Sequence, residues 1–279
     1  MLSALLIVFR EVIEAGLIVG IVLAATAGVP RRSTFVALGV LGGVVGACLV
    51  ALFAGELASL FQGSGQELFN ASILFLAVAM LTWHNVWMAS HGRDMARELK
   101  AAGHEVISGK RTLAALSIVV GVAVLREGSE VVLFLYGIVA QGGTSHAALA
   151  AGGALGLAAG AAVSALMYFG LLTIPAHRLF TVTSGLITLL AAGMAAQAVL
   201  FLQNGGYINA LTDTLWNTSW LLPEDGIAGR LLHTLVGYSE APNGAQLIAY
   251  LATIALMIVL MRTMGKTGPR PVRAAQPAE

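Results

Sequence analysis

Arg126-Glu127-Gly128-Ser129-Glu130 stands inside an apolar run that extends from about Leu113 to Val139. The same order of charges recurs as Arg10-Glu11-Val12-Ile13-Glu14, inside the apolar run at the N-terminus. At the centre of a membrane helix each such residue costs roughly 2.5–3.5 kcal/mol, so the six together cost on the order of 15–20 kcal/mol before any pairing. An ordinary membrane span does not carry them. Ionisable groups at that depth mark a substrate or ion path.

The composition around the motifs supports a membrane setting. The chain of 279 residues is 58% hydrophobic and only 10% charged, where a soluble domain carries about 25% charge. Apolar stretches of about 20 residues recur, the length of a spanning helix and not of a barrel strand. The fold class expected is an all-α integral membrane protein, multi-pass in the plasma (inner) membrane. The single cysteine, Cys48, excludes an intrachain disulfide and reads as a small packing residue. The N-terminal run lacks a basic n-region and carries Arg10, Glu11 and Glu14, so it reads as a retained helix and not a signal peptide.

Seven transmembrane helices are expected, at about 2–26, 33–60, 67–89, 112–139, 146–173, 179–203 and 244–263. Twelve of the fifteen basic residues fall in connections on one side: Arg31, Arg32, Arg93, Arg97, Lys100, Lys110, Arg111, Arg178, Arg262, Lys266, Arg270 and Arg273. Positive charge stays cytoplasmic, which puts the N-terminus outside and the C-terminus inside. The outer face then carries Arg230 against Glu56, Glu67, Asp213, Glu224, Asp225 and Glu240, a net charge of −5 that concentrates cations.

Under this topology the first motif lies on an inward-running helix and the fourth helix carries the second motif outward. Small residues four apart occur in the helix after each: Gly39/Gly43 and Gly42/Gly46, then Gly152/Gly156/Gly160. Such residues let membrane helices approach closely. Together these features predict an inverted 3+3 repeat, halves 1–89 and 112–203, with its site near the midplane. The seventh helix, 244–263, stands outside it. One transmembrane permease domain over 1–264 and a disordered cytoplasmic tail over 265–279 complete the expected organisation. The outer segment 204–243 holds Trp216 and Trp220, and Ile227, Leu231, Leu232, Leu235 and Val236 on one face of a short surface helix.

At 100° per residue Glu11 and Glu14 are about 60° apart on their helix, as are Glu127 and Glu130, and each arginine can reach the glutamate four residues on. Brought together, four carboxylates and two guanidiniums form a cluster of formal charge −2 that can take a di- or trivalent cation. Carboxylates are hard oxygen ligands, suited to iron(III), magnesium, calcium or manganese. A second acid on each face exceeds what an ion pair gluing helices together requires. On the third helix Met80, His84, Met88 and His91 share an arc of about 80° and read as a possible pathway, with helix packing as the plainer explanation. Met194, Gln197 and Gln203 leave a fainter polar trace, and Ser129 can add one hydrogen bond. Asp213, Glu224 and Asp225 are candidates for collecting cations at the entrance.

Two Arg-Glu-x-x-Glu motifs on the first and fourth of seven helices resemble the oxidase-dependent iron permease family, in particular its bacterial EfeU-type branch. Leu215-Trp216-Asn217-Thr218-Ser219-Trp220-Leu221-Leu222 and the stretch from Gly229 to Tyr238 share the likeness. The family form is commonly Arg-Glu-Gly-x-Glu; the second copy fits it, and the first has Val12 in place of glycine. The resemblance implies high-affinity iron transport, with Glu11, Glu14, Glu127 and Glu130 as metal ligands and Arg10 and Arg126 as motif partners. It also implies a separate extracytoplasmic oxidase or iron-delivery protein, iron as substrate with no cofactor, and no nucleic-acid partner. Two other readings stay open: a less selective divalent-cation transporter or channel, and an intramembrane acid–base enzyme. No His-Glu-x-x-His motif or Ser/His constellation favours the enzyme.

Overall fold

A computed structural model describes residues 1–59, 66–141, 145–171, 176–224 and 226–264. Among them the chain forms eight helices: α1 (Leu2–Ala25), α2 (Arg32–Ser59), α3 (Gln66–Ile107), α4 (Leu113–Gln141), α5 (His146–Tyr168), α6 (Ala176–Asn204), α7 (Ile227–Val236) and α8 (Gly244–Met264). No strand occurs among the described residues; Thr214 and Asn243 form an isolated antiparallel bridge. Five segments are long and apolar enough to cross a membrane: 32–54, 66–88, 146–168, 180–204 and 244–264. With 24 and 29 residues α1 and α4 are also long enough, but each carries the three charges of its motif. The expected tail, 265–279, lies outside the described residues, as do 60–65 and 142–144 within the connections.

Local chemistry sets several helix ends. Ser145 adopts extended geometry and its Oγ accepts from the Ala148 N–H at 3.2 Å, capping α5. Arg32 donates to the Leu23 carbonyl at 2.8 Å, satisfying one of the open acceptors at the end of α1. At the end of α7, Gly237 takes φ 70°, a left-handed conformation that glycine adopts without cost.

The small residues lie where helices touch. A methyl group on Gly43 would meet Val124 Cβ at 2.6 Å and the Gly121 carbonyl at 2.7 Å, so α2 lies tightly along α4. One on Gly156 would meet the Leu5 carbonyl at 2.6 Å, and one on Gly160 the Phe9 carbonyl at 2.9 Å, so α5 lies along α1. The helix that follows each motif helix in sequence therefore packs on the motif helix of the other half. Gly42 faces open space. Cys48, expected to be a packing residue, is exposed on α2 instead, because the tight side of that helix is occupied by Gly39, Gly43 and Gly46.

The charged segment expected after the third span is not a separate connection. α3 continues through it as a single helix of 42 residues, about 63 Å, twice the thickness of a bilayer core. Met95, Leu99 and Val106 recur at helical spacing and pack with Ile18, Val22 and Leu116. That apolar stripe, which the charges mask in sequence, holds the extension against the end of α1.

Two apolar clusters divide the bundle along its axis. One joins Ala4 and Ile7 of α1, Leu74, Ala77 and Leu81 of α3, and Phe134 and Ile138 of α4 with residues of α6 and Met257. The other joins Ile18 and Val22 of α1 with Leu116, Val120 and Val124 of α4 and with Leu99 and Val106 of α3. Both motifs and His84 fall between the two clusters along their helices.

Candidate metal centre

Helical spacing turns both motifs into the gap between the apolar clusters, where α1, α3 and α4 meet. Arg10, Glu11, Glu14, His84, Asn85, Glu127 and Glu130 are all buried there. Arg10 is only 1% exposed; its Nη1 donates to Glu11 Oε1 at 3.0 Å and its Nη2 lies 3.0 Å from Glu14 Oε1. The second pair forms as the spacing requires, with Arg126 Nε donating to Glu130 Oε1 at 3.1 Å.

His84 stands between the motifs. Its Nε2 is 3.0 Å from Glu14 Oε2 and 3.8 Å from Glu11 Oε2, and its Nδ1 contacts Glu130 Oε2. Glu11, His84, Glu127 and Glu130 each offer a ligand atom, all within 4.8 Å of one another. Glu11 Oε2 and Glu127 Oε2 are buried and accept no hydrogen bond. A buried carboxylate oxygen without a donor is costly, and a cation at the centre of this set would satisfy both.

Other predicted positions are distributed differently. Met80 is exposed and Met88 half-buried, so the arc predicted on α3 contributes His84 to the cluster but not Met80. His91 stacks on Trp87 with ring centroids 5.4 Å apart. Ser129 donates to the Leu125 carbonyl of its own helix at 2.7 Å. Met194 is buried in the apolar cluster on the α1 start side, and Gln203 accepts from Asn243 Nδ2 at 2.7 Å. Asp213 is exposed; Asp225 lies outside the described residues. Glu224 pairs through Oε1 with His233 Nδ1 at 3.2 Å, and its N–H donates to Glu240 Oε2 at 2.8 Å. The Glu224 contact, followed by burial acting the other way and a bond to the Tyr238 carbonyl, leaves the His233 pKa above its ordinary value.

Three neighbours of the cluster escaped the sequence reading: Asn85, Ser184 and Trp87. Asn85 Oδ1 accepts from Arg10 Nη2 at 3.3 Å and from Ser184 Oγ at 2.9 Å, tying α1 through α3 to α6. The Trp87 ring lies 4.5 Å from the Arg126 guanidinium carbon. On α3 the signal was faint but present: an amide beside His84 in an apolar helix, and an aromatic one turn on.

Residues 1–266 match the iron permease FTR1 family. The chain belongs to that family. Similar family members include the ferrous iron permease EfeU of Escherichia coli O6:K15:H31 (strain 536 / UPEC), 30% identical over 274 residues, 96% of this chain and 98% of its own length. The ferrous iron permease EfeU of Yersinia pestis is 31% identical over 259 residues, 91% of each chain. No solved structure matches the chain. Family membership makes the protein a permease and not an enzyme, which removes the acid–base alternative. Its helices and its family together make it a membrane protein. A second cleft of about 570 Å³, between the ends of α1, α3 and α5, has apolar walls with Lys100 and His104 among its lining residues.

Proposed function

We propose that this chain moves iron ions across the plasma membrane through a midplane site built on both Arg-Glu-x-x-Glu motifs. The observation that carries the reading is the pair of buried, donor-free oxygens on Glu11 and Glu127, set in a group of four ligand residues within 4.8 Å. Glu14 completes the four-glutamate set through its contact with His84. Four glutamates and two arginines have formal charge −2, opposite to the charge of a divalent cation. Carboxylate oxygens with one imidazole suit iron(II), and the named relatives are ferrous iron permeases. The imidazole is the feature that favours iron over magnesium or calcium, which take oxygen ligands.

The same reading makes α1 and α4 membrane-spanning, for seven spans in all. Five of their six charged residues are buried in the gap between two apolar clusters, and Arg126, partly exposed, pairs with Glu130. The reciprocal packing of α2 on α4 and α5 on α1 supports the inverted 3+3 repeat, and the basic residues favour an outside N-terminus. Residues 1–264 act as one permease domain with a cytoplasmic tail, and iron reaches its outer face from a separate iron-delivery protein.

Uptake of labelled iron tests the site. Glu127→Gln keeps the side-chain shape and removes one anionic ligand; uptake should fall to background while the amount of inserted protein holds. Near-normal uptake by a well-inserted Glu127→Gln protein would reject the shared site. Competition by excess manganese without loss of iron preference distinguishes an iron permease from a general divalent transporter.

A further inference from the structure

The two motifs read alike in sequence, yet their arginines occupy different surroundings. Arg10 is enclosed by Glu11, Glu14 and Asn85, with a side chain 1% exposed, whereas the Arg126 side chain is 38% exposed and pairs with Glu130 alone among the acids. Helix direction gives the difference a meaning. Gly103, near the end of α3, lies against Ala25 at the end of α1, and α4 starts from the end of α3. Hence α1 and α4 run antiparallel through the cluster. Each arginine precedes its last glutamate by four residues, about 6 Å along the helix. Arg10 therefore lies on one side of the carboxylates and Arg126 on the other, toward the α3 extension.

Beyond Arg10 the route is blocked by Ala4, Ile7, Leu74 and Phe134, each 0% exposed. The Arg126 side chain, 38% exposed, borders open space beside the cluster. An arginine facing hydrocarbon there is strongly disfavoured, and a water-filled mouth would relieve that cost. Arg126 also holds two partners at once, Glu130 Oε1 at 3.1 Å and the Trp87 ring at 4.5 Å. A small rotation onto the indole frees the carboxylate for a cation and leaves the guanidinium stacked on an aromatic face.

We propose that Arg126 and Trp87 form the gate of the cation path on the α3-extension side of the cluster, and that Arg10 with Asn85 is the closed gate on the opposite side. The gate rests on the cation-site reading given above. Trp87 acts through Arg126 and is a positioning residue.

Thiol accessibility tests it without requiring transport. In full-length protein carrying Cys48→Ser and reconstituted in liposomes, Arg126→Cys, Trp87→Cys and Arg10→Cys are exposed to a charged, impermeant methanethiosulfonate from one face at a time. Positions 126 and 87 should react from the α3-extension face only, at least about ten-fold faster than position 10 from either face, since a buried thiol reacts only through local opening. Equal or faster reaction at position 10 overturns the proposal. So does silence at both 126 and 87, the result expected if lipid or a second copy covers that side. Should the arginine variants fail to insert, Trp87→Cys against Asn85→Cys makes the same comparison with both motifs intact. A protein that labels asymmetrically yet binds no iron overturns the cation-site reading and leaves the mouth standing.

Discussion

His84 Nε2 lies 3.0 Å from Glu14 Oε2, while the other nitrogen of the same ring contacts Glu130. One imidazole from α3 thus joins the two motifs, which are otherwise held on separate helices. Replacing His84 with alanine should remove that link and one ligand together. We expect iron affinity to fall about 10–100-fold, the scale on which metal sites respond to loss of an orienting partner. Iron binding measured on purified His84→Ala protein at the wild-type level would show that the ring is packing only.

Asn85 is the next test, because it contacts Arg10 but none of the glutamates. Asn85→Leu keeps the volume and leaves Arg10 and Ser184 short of a partner, at a cost of about 1–3 kcal/mol. Thermal unfolding in detergent should shift downward, and Asn85→Asp, which restores an acceptor, should recover part of the shift. Unchanged unfolding of Asn85→Leu would mean that the α1–α3–α6 link carries no stability.

Close helix approach predicts a contrast between glycines. Gly156→Leu drives a side chain into the backbone of α1 at Leu5 and Phe9 and should cost about 1–3 kcal/mol or more. Gly42→Leu enters open space and should leave both stability and uptake near wild type. Equal sensitivity at the two positions would overturn the α1–α5 packing.

The outer segment should respond to pH through His233, whose pKa is raised chiefly by Glu224. A raised pKa means that the folded state binds the proton more tightly than the unfolded chain. The stabilisation is full below the ordinary histidine pKa and is lost as pH rises through the higher folded value. Hydrogen exchange across α7 should therefore quicken as pH rises through that window, after correction for intrinsic exchange, and His233→Gln should flatten the response. An equally steep corrected profile in His233→Gln would assign the effect to another group.

Much of this protein was determined by sequence alone, for local reasons. Composition and run length made it a helical membrane protein. The three-residue spacing put each pair of glutamates on one face, and the four-residue spacing let Arg10 reach Glu14 and Arg126 reach Glu130. Those relations are properties of a single helix. The tertiary structure decided everything that depends on which helices meet. It placed His84 between the motifs, set Asn85 beside Arg10, and extended α3 along an apolar stripe hidden among charges. It also buried one arginine and left its counterpart partly exposed. Two motifs with the same charges at the same spacing cannot differ by local rules; they differ here because α1 and α4 cross the same cluster in opposite directions, against different neighbours.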